Sequence, residues 1–290
     1  MRHFSAEQTR DRLPYDQLIE ALREMFTKEV HAPLRHHHTL ERESEPEATM
    51  LLMPAWEDGG LGGLKFVNVV PGNASRDLPA LSSSYQLFDN QTGQHLAMMD
   101  GGEITNRRTA AAAALGVDYL ARKNAKRLLI FGSGRVAQCV APAICSIRDI
   151  EEIEIWSIDP VSAEAMAAQL RADGKSVEVV SDLEAAVKRA DIISCATLAT
   201  DPIIKGEWLQ PGQHLDLIGS FTPKMREADD EAVRRSRVYI DVDGALKETG
   251  DIIDPIRSGA LTEDGICGDL AKLCKEEAKG RQSDEEITLL

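Results

Sequence analysis

Apolar residues follow two different patterns along the 290-residue chain, and the change falls near residue 125. In the first part, short apolar runs broken by Gly and Pro predict three strands, over 49–53, 64–70 and 82–88. The helical spacing of apolar residues predicts one helix over 16–30, and an alanine-rich stretch predicts a second over 105–121. This part is therefore expected to be α+β and rich in strands.

Beyond residue 125, apolar strands alternate regularly with helical patterns. The predicted strands lie at 128–131, 153–158, 176–180, 192–197, 214–219 and 238–242, and the predicted helices at 135–147, 162–172 and 182–190. Strands that alternate with helices form βαβ units and a parallel sheet. The predicted fold class is therefore α/β, with a Rossmann doubly wound domain over 123–264.

Composition argues against several functional classes. The net charge of −15 and the lack of a basic run argue against a nucleic-acid partner, because such proteins carry basic patches. No stretch approaches the ~20 apolar residues that span a bilayer, and the polar N-terminus does not resemble a secretory signal. The cysteines are odd in number and form no CxxC pair, which is typical of free thiols in a reducing compartment. We therefore expect a cytoplasmic protein with no membrane partner.

The strand at 128–131 leads directly into a GxGxxA sequence, Gly132-Ser133-Gly134-Arg135-Val136-Ala137. The pattern is informative because it follows an apolar strand, opens a helix and begins a βαβ unit. Gly132 permits a tight turn, Gly134 lets the backbone approach a pyrophosphate, and Ala137 keeps the helix close to the strand. The helix N-terminus offers free N–H groups to the anion. We interpret this loop as the phosphate-binding part of a dinucleotide site.

Three residues at later strand ends are further candidates for cofactor contacts. Asp159 ends the second strand, where an acid binds the ribose hydroxyls of NAD, and it equally suits a helix cap beside Pro160. No Arg or Lys lies in that turn to bind a 2′-phosphate, so NAD(H) is favoured over NADP(H). Thr197 and Ser220 follow the fourth and fifth strands, where ligands bind in such sheets.

Three basic residues of the first part, Arg35, Lys65 and Arg108, are candidates for binding an anion. Lys65 lies within an apolar strand, where a lysine points either to solvent or into a pocket, and Arg108 lies in the first turns of the alanine-rich helix. Together they suit the carboxylate of an amino acid, which arginine binds through two parallel hydrogen bonds. The adjacent histidines 36–38 lack partners at metal-ligand spacing, so no metal site is expected.

A series of short motifs resembles the ornithine cyclodeaminase/mu-crystallin family from about Ala32 to Leu289. In chain order the motifs are Pro33-Leu34-Arg35, Leu52-Met53-Pro54, Gly63-Leu64-Lys65, Pro71-Gly72-Asn73, Thr92-Gly93, Met99-Asp100-Gly101-Gly102, the stretch 105–112, the GxGxxA loop, Thr222-Pro223, Gly244-Ala245-Leu246 and Gly268-Asp269-Leu270.

The resemblance implies a two-domain, usually dimeric protein with its active site between the domains. It implies a substrate-binding and dimerisation domain over 1–122, joined by the C-terminal segment 265–290. In the family, the residues that match Arg35, Lys65 and Arg108 bind the substrate carboxylate near the reacting carbon. Catalytic roles for Lys65 and Arg108 are implied in the same way.

Two positions distinguish the activities found in this family. Cyclodeaminases have an aspartate where this chain has Phe221, and an acid where this chain has Leu51. Because neither side chain titrates, the pocket suits an apolar ring better than a long cationic side chain. The sequence Ser-Phe-Thr-Pro at 220–223 looks most like the Δ1-pyrroline-2-carboxylate reductase branch.

The expected reaction is therefore the NAD(P)H-dependent reduction of Δ1-pyrroline-2-carboxylate or Δ1-piperideine-2-carboxylate to L-proline or L-pipecolate. Ornithine cyclodeaminase, alanine dehydrogenase and a non-catalytic carrier of the mu-crystallin type stay open as alternatives. Members of the family continue past Leu289 with a turn and a final helix, whereas this chain stops at Leu290. That difference bears on its stability, its dimerisation and its activity.

Overall fold

The computed structural model describes residues 1–76 and 78–290, which divide into two compact units. The first unit comprises 1–14 and 28–108, and the second comprises 15–27 and 109–290. The division predicted from the sequence, at 122/123, differs from this one. The helix at 15–27 and the segment 265–290 both cluster with the second unit, because the helix packs into its core and the C-terminal strand pairs within its sheet.

A mainly antiparallel sheet dominates the first unit. Its strands are β1 (Arg2–Phe4), β2 (Val30–His31), β3 (His36–Leu40), β4 (Ala48–Glu57), β5 (Leu61–Val69), β6 (Leu81–Asp89) and β7 (His95–Asp100). Their order is β1-β7-β6-β5-β4-β2, with β3 also paired to β4 and β1 parallel to β7. Helix α1 (Ala6–Asp11) and a 3-10 helix (Pro71–Arg76) also belong to this unit. The three strands predicted here are confirmed, and each is longer than predicted.

Strand β4 continues through Pro54, where the sequence alone favoured an end at residue 53. Along one side, β4 pairs with β3 as far as Leu52 and with β2 from Trp56 onward. Pro54 lies where the partner changes, so its missing N–H removes no hydrogen bond from either of these two ladders. The strand can therefore run on past the proline.

The second unit contains an eight-stranded parallel sheet. Its strands are β8 (Arg127–Phe131), β9 (Glu152–Trp156), β10 (Val177–Val179), β11 (Ile192–Cys195), β12 (His214–Leu217), β13 (Ser236–Ile240), β14 (Ile266–Asp269) and β15 (Ile287–Leu289). The spatial order is β10-β9-β8-β11-β12-β15-β13-β14. The chain adds strands outward from β8 in one direction and then returns to add β11 on the other side. This arrangement confirms the predicted α/β class with a doubly wound sheet.

Helices accompany these strands along the chain. They are α2 (Tyr15–Thr27), α3 (Gly101–Leu120), α4 (Ala137–Cys145), α5 (Pro160–Ala172), α6 (Leu183–Arg189), α7 (Asp230–Arg234), α8 (Ala245–Glu248), α9 (Gly250–Ser258) and α10 (Leu270–Cys274), with 3-10 helices at Gly206–Trp208 and Glu263–Gly265. Helix α3 begins in the first unit and continues in the second. Its residues Ala110, Ala111 and Ala114 are fully buried. The predicted alanine-rich helix is therefore confirmed, and its small side chains pack closely against the core.

The described residues contain neither a membrane-spanning helix nor a metal site. Within 1–76 and 78–290, no helix has the length and apolarity needed to cross a membrane, and no three His, Cys, Asp or Glu residues converge as a metal site would require. Histidines 36–38 are exposed on β3, where successive side chains point to opposite faces. The five cysteines are free thiols.

Candidate active site

The glycine-rich loop begins immediately after β8 and has the conformation that its sequence predicts. Gly132 has a φ of +108°, and a Cβ atom at this position would lie 2.5 Å from the carbonyl oxygen of Ala196. No L-residue fits there without displacing backbone. Gly134, in contrast, is exposed, and a Cβ built on it would have no atom within 4 Å. The space around Gly134 is therefore open, and its contact with a dinucleotide stays a prediction.

Helix α4 starts directly behind this loop. The Gln138 N–H donates to the Gly134 carbonyl over 3.0 Å, so helical hydrogen bonding reaches back to the loop itself. Ala137 is fully buried, while Arg135 is exposed and Val136 is half-buried. Since the first N–H groups of a helix have no partners within the helix, this end can bind a phosphate.

The end of β9 carries two polar side chains near the loop. The hydroxyls of Ser133 and Ser157 lie 2.9 Å apart. Asp159 caps α5, accepting the Val161 N–H over 3.1 Å and the hydroxyl of Ser162. These hydrogen bonds, that of Ser162 above all, lower the pKa of the exposed carboxyl. The capping role that the sequence allowed is therefore confirmed, whereas the ribose-binding role stays a prediction.

Thr197, at the end of β11, directs its polar groups to a carboxylate that the sequence did not point out. Its backbone N–H and its hydroxyl each donate to Glu227 Oε1 over 2.7 Å. The other oxygen, Oε2, accepts the Gly219 N–H over 2.7 Å. In the sequence, Glu227 lies in the charged run 224–231, a pattern that is typical of a solvent-exposed loop. No local signal could have revealed that it is buried.

Ser220 also has its hydroxyl committed within the protein. It donates to the Met225 carbonyl over 2.7 Å and accepts from the Thr249 hydroxyl over 2.5 Å. Contacts of Thr197 and Ser220 with a cofactor stay predictions, but these hydrogen bonds show that both residues shape the ends of β11 and β12.

The three predicted cations come together within the first unit. Lys65 is half-buried on β5, and its Nζ donates to Thr105 Oγ1 over 3.3 Å. Burial, followed by the charges of Arg108 and Arg35, lowers the pKa of Lys65 to about 8. A neighbouring like charge disfavours the charged form of the lysine, which is why the two arginines lower its pKa. The three residues are therefore close enough for their charges to interact, and their binding of a carboxylate stays a prediction.

Tyr85 lies beside this cluster and was missed at the sequence level. In the sheet, Lys65 pairs with Met53 of β4 and Tyr85 of β6, so the three side chains share one face. The phenol lies over Gly63, where a Cβ would be 1.7 Å from the tyrosine oxygen. Burial raises the pKa of Tyr85, which keeps the phenol neutral and able to donate. A tyrosine in a strand predicts nothing by itself, because its partner position lies 20 residues away.

The two residues that argued against a cyclodeaminase lie in different units. Leu51 shares the Lys65 face of β4 and is half-buried. Phe221 is 61% exposed in the second unit. Their joint effect on a substrate pocket stays a prediction.

Comparison with known proteins agrees with these features. The sequence profile described as the ornithine cyclodeaminase/mu-crystallin family matches residues 4–290. The chain belongs to this family.

Relatives within the ornithine cyclodeaminase/mu-crystallin family include two bacterial proteins named Δ1-pyrroline-2-carboxylate reductase. The one from Colwellia psychrerythraea is 35% identical, with 100% of this chain and 93% of the relative covered. The one from Paracoccus denitrificans is 38% identical, with coverages of 88% and 84%. A solved structure of the Thermococcus litoralis Δ1-pyrroline-2-carboxylate reductase, in complex with NADH and L-proline, is 33% identical. It has a TM-score of 0.91 and coverages of 100% and 91%.

Proposed function

We propose that this chain uses NAD(P)H to reduce a cyclic ketimine, Δ1-pyrroline-2-carboxylate or Δ1-piperideine-2-carboxylate, to L-proline or L-pipecolate. The observation that carries the proposal is the cluster of Arg35, Lys65 and Arg108, whose mutual repulsion a carboxylate would relieve. The similarity to several proteins named Δ1-pyrroline-2-carboxylate reductase supports the same reaction.

In this proposal the two arginines and the lysine have different roles toward the substrate. Arg35 and Arg108 bind the carboxylate, which guanidinium groups can do through paired hydrogen bonds. Lys65, held by Thr105, orients the imine and keeps its nitrogen protonated, which makes the carbon a better hydride acceptor. Its lowered pKa places the proton transfer close to neutral pH.

The residues of the glycine-rich loop fit a dinucleotide. The open space at Gly134 and the N–H groups at the start of α4 suit a pyrophosphate, and the exposed Asp159 carboxylate suits ribose hydroxyls. A 2′-phosphate beside Asp159 would be repelled, so we propose NADH as the preferred cofactor. A bound dihydronicotinamide supplies the hydride, and the protein supplies orientation and charge.

We further propose that the protein is a cytoplasmic homodimer. Residues that alternate with Lys65 on the sheet, such as Leu64, Phe66 and Leu52, form an apolar and only half-buried face. Such a face is typical of subunit contacts. Light scattering after gel filtration tests this directly, and Phe66→Asp should yield a folded monomer by circular dichroism. If the wild-type protein is a monomer, the proposed dimer is wrong. A fluorescent fusion tests the proposed cytoplasmic location.

The experiment for the reaction mixes purified protein with Δ1-pyrroline-2-carboxylate and follows the nicotinamide absorbance with NADH and NADPH in separate runs. We expect rapid oxidation, faster with NADH, and formation of L-proline. NADH binding without oxidation would reject the reductase and favour a carrier. Ammonia release from ornithine without added cofactor would instead identify a cyclodeaminase.

A further inference from the structure

Glu227 joins the ends of two neighbouring strands at the carboxyl edge of the parallel sheet. It is fully buried, with 0% exposure. Oε1 accepts two hydrogen bonds from Thr197, just beyond β11, and Oε2 accepts one from Gly219, just beyond β12. A single carboxylate thus accepts three donors from two loops. Three hydrogen bonds to one buried side chain therefore tie the two strand ends together.

The loop that Glu227 holds also packs against the glycine-rich loop. A Cβ on Gly132 would lie 2.5 Å from the Ala196 carbonyl oxygen and 3.5 Å from the Thr197 methyl group. The position of Thr197 therefore determines how much room Gly132 has. If the end of β11 shifted, Ala196 and Thr197 would move either into the glycine-rich loop or away from it.

Gly219, just beyond β12, also has too little space around it for a side chain. A Cβ there would lie 2.2 Å from the Thr197 carbonyl oxygen and 2.5 Å from Glu227 Oε1. The two strand ends are thus in direct contact, with the carboxylate beside them. Glu227 adds side-chain hydrogen bonds to both strand ends at this close approach, beyond the backbone ladder that pairs β11 with β12.

A second carboxylate holds Glu227 in turn. Asp251, 3% exposed at the start of α9, accepts the backbone N–H groups of Glu227 and Ala228 over 2.9 and 3.1 Å. Burial, together with the nearby charge of Asp251, raises the pKa of Glu227 to about 7, while its hydrogen bonds with Thr197 and Gly219 oppose that rise. Burying two acids so close together disfavours their charged forms.

We propose that Glu227 is a positioning residue for the dinucleotide, and that it acts by fixing the β11 and β12 ends against the glycine-rich loop. The inference rests on the proposed function only in taking the ligand to be a nicotinamide dinucleotide. Ligands of doubly wound sheets lie at the carboxyl ends of the strands, next to the switch between β8 and β11. Glu227 itself stays behind that surface, because its oxygens are bonded inward.

The test compares NADH affinity in wild-type protein and in Glu227→Gln, measured by calorimetry without imino acid. Glutamine keeps the shape but turns an NH2 group toward an N–H donor, so we expect the Kd and the KM for NADH to rise about tenfold or more. The KM for the imino acid should stay within about threefold, which separates positioning from a general loss of structure. The control is Asp216→Asn, which removes an equally buried acid within β12 and should leave the Kd for NADH unchanged.

A wild-type Kd in Glu227→Gln would overturn the proposal, as would an equal loss of affinity in Asp216→Asn. If Glu227→Gln does not fold, Glu227→Asp decides the matter, because it keeps the carboxylate but is too short to bond both strand ends as Glu227 does. We expect about a threefold rise in the Kd of that variant, and an unchanged Kd would count against Glu227. Because binding is measured without substrate, the result holds even if the protein reduces a different imine.

Discussion

The Nζ atom of Lys65 lies 3.3 Å from Oγ1 of Thr105, which joins the middle of β5 to the first turns of α3. Thr105 donates its own proton to the Gly101 carbonyl over 2.7 Å, so its lone pairs face the lysine. The threonine thereby orients the ammonium group on the face of the sheet that also carries Tyr85.

Removing the threonine acceptor should slow the proposed reduction while leaving the fold intact. Thr105→Val keeps the branched shape but leaves the ammonium unoriented, so we expect kcat to fall about tenfold, in line with hydrogen bonds to charged groups. Lys65→Ala should reduce kcat by about a hundredfold or more. Thr39→Val, at an exposed position on β3, is the control. Wild-type rates in Thr105→Val would separate Thr105 from the reaction.

The reaction should depend on the ionisation of Lys65. Burial, with the charges of Arg108 and Arg35, lowers the pKa of this residue to about 8. If the ammonium form is the active one, activity is present below that pH and declines as the pH rises through it. In Lys65→Arg the charge persists, so any remaining activity should lack this decline. Profiles of kcat for both proteins, from pH ~6 to ~10, test the assignment. An identical decline in both would place the ionisation elsewhere.

Two glycines of the same loop should respond differently to alanine. Gly132→Ala puts a Cβ 2.5 Å from a carbonyl oxygen at a positive φ, so we expect the free energy of unfolding to fall by about 2 kcal/mol or more. Gly134→Ala meets no protein atom within 4 Å and should leave stability within about 0.5 kcal/mol. It should weaken NADH binding nonetheless, because the methyl group occupies the ligand's space. Urea unfolding and calorimetry measure both effects, and tight NADH binding by Gly134→Ala would argue against this loop as the phosphate site.

Asp216 should make the protein less stable as the pH rises. Burial raises its folded-state pKa to about 7, above the value of ~3.9 expected in the unfolded chain. Between these two values the folded state binds the extra proton, so stability decreases with increasing pH across that window. Asp216→Asn keeps an acceptor for the Ser194 hydroxyl and does not titrate. Unfolding in urea at pH ~5 and ~8 should show a smaller loss in the variant. An equal loss in both proteins would assign the pH dependence to other groups.

Much of the second unit could be predicted from the sequence because its signals are local. The GxGxxA loop, the apolar strand before it and the alanine run of α3 each depend on neighbouring residues and their backbone preferences. The three cations were selected by the motifs that resemble the family, and the structure brings their charges together, while their role toward a substrate stays a prediction. The ends of the strands were predicted less accurately than the strands themselves. Pro54 stays inside β4 because of where β3 and β2 begin and end, which the local sequence does not encode.

The sequence by itself determined the α/β class and the glycine-rich loop, because periodicity and backbone preference act over a few residues, whereas the three cations were selected by the resemblance to the family. Only the tertiary structure decided that β15 pairs between β12 and β13, that α2 packs with the second unit, and that Glu227 is buried between two strand ends. Each of these depends on contacts between segments distant along the chain. A charged residue in a polar run looks solvated until the fold brings the donors that bind it.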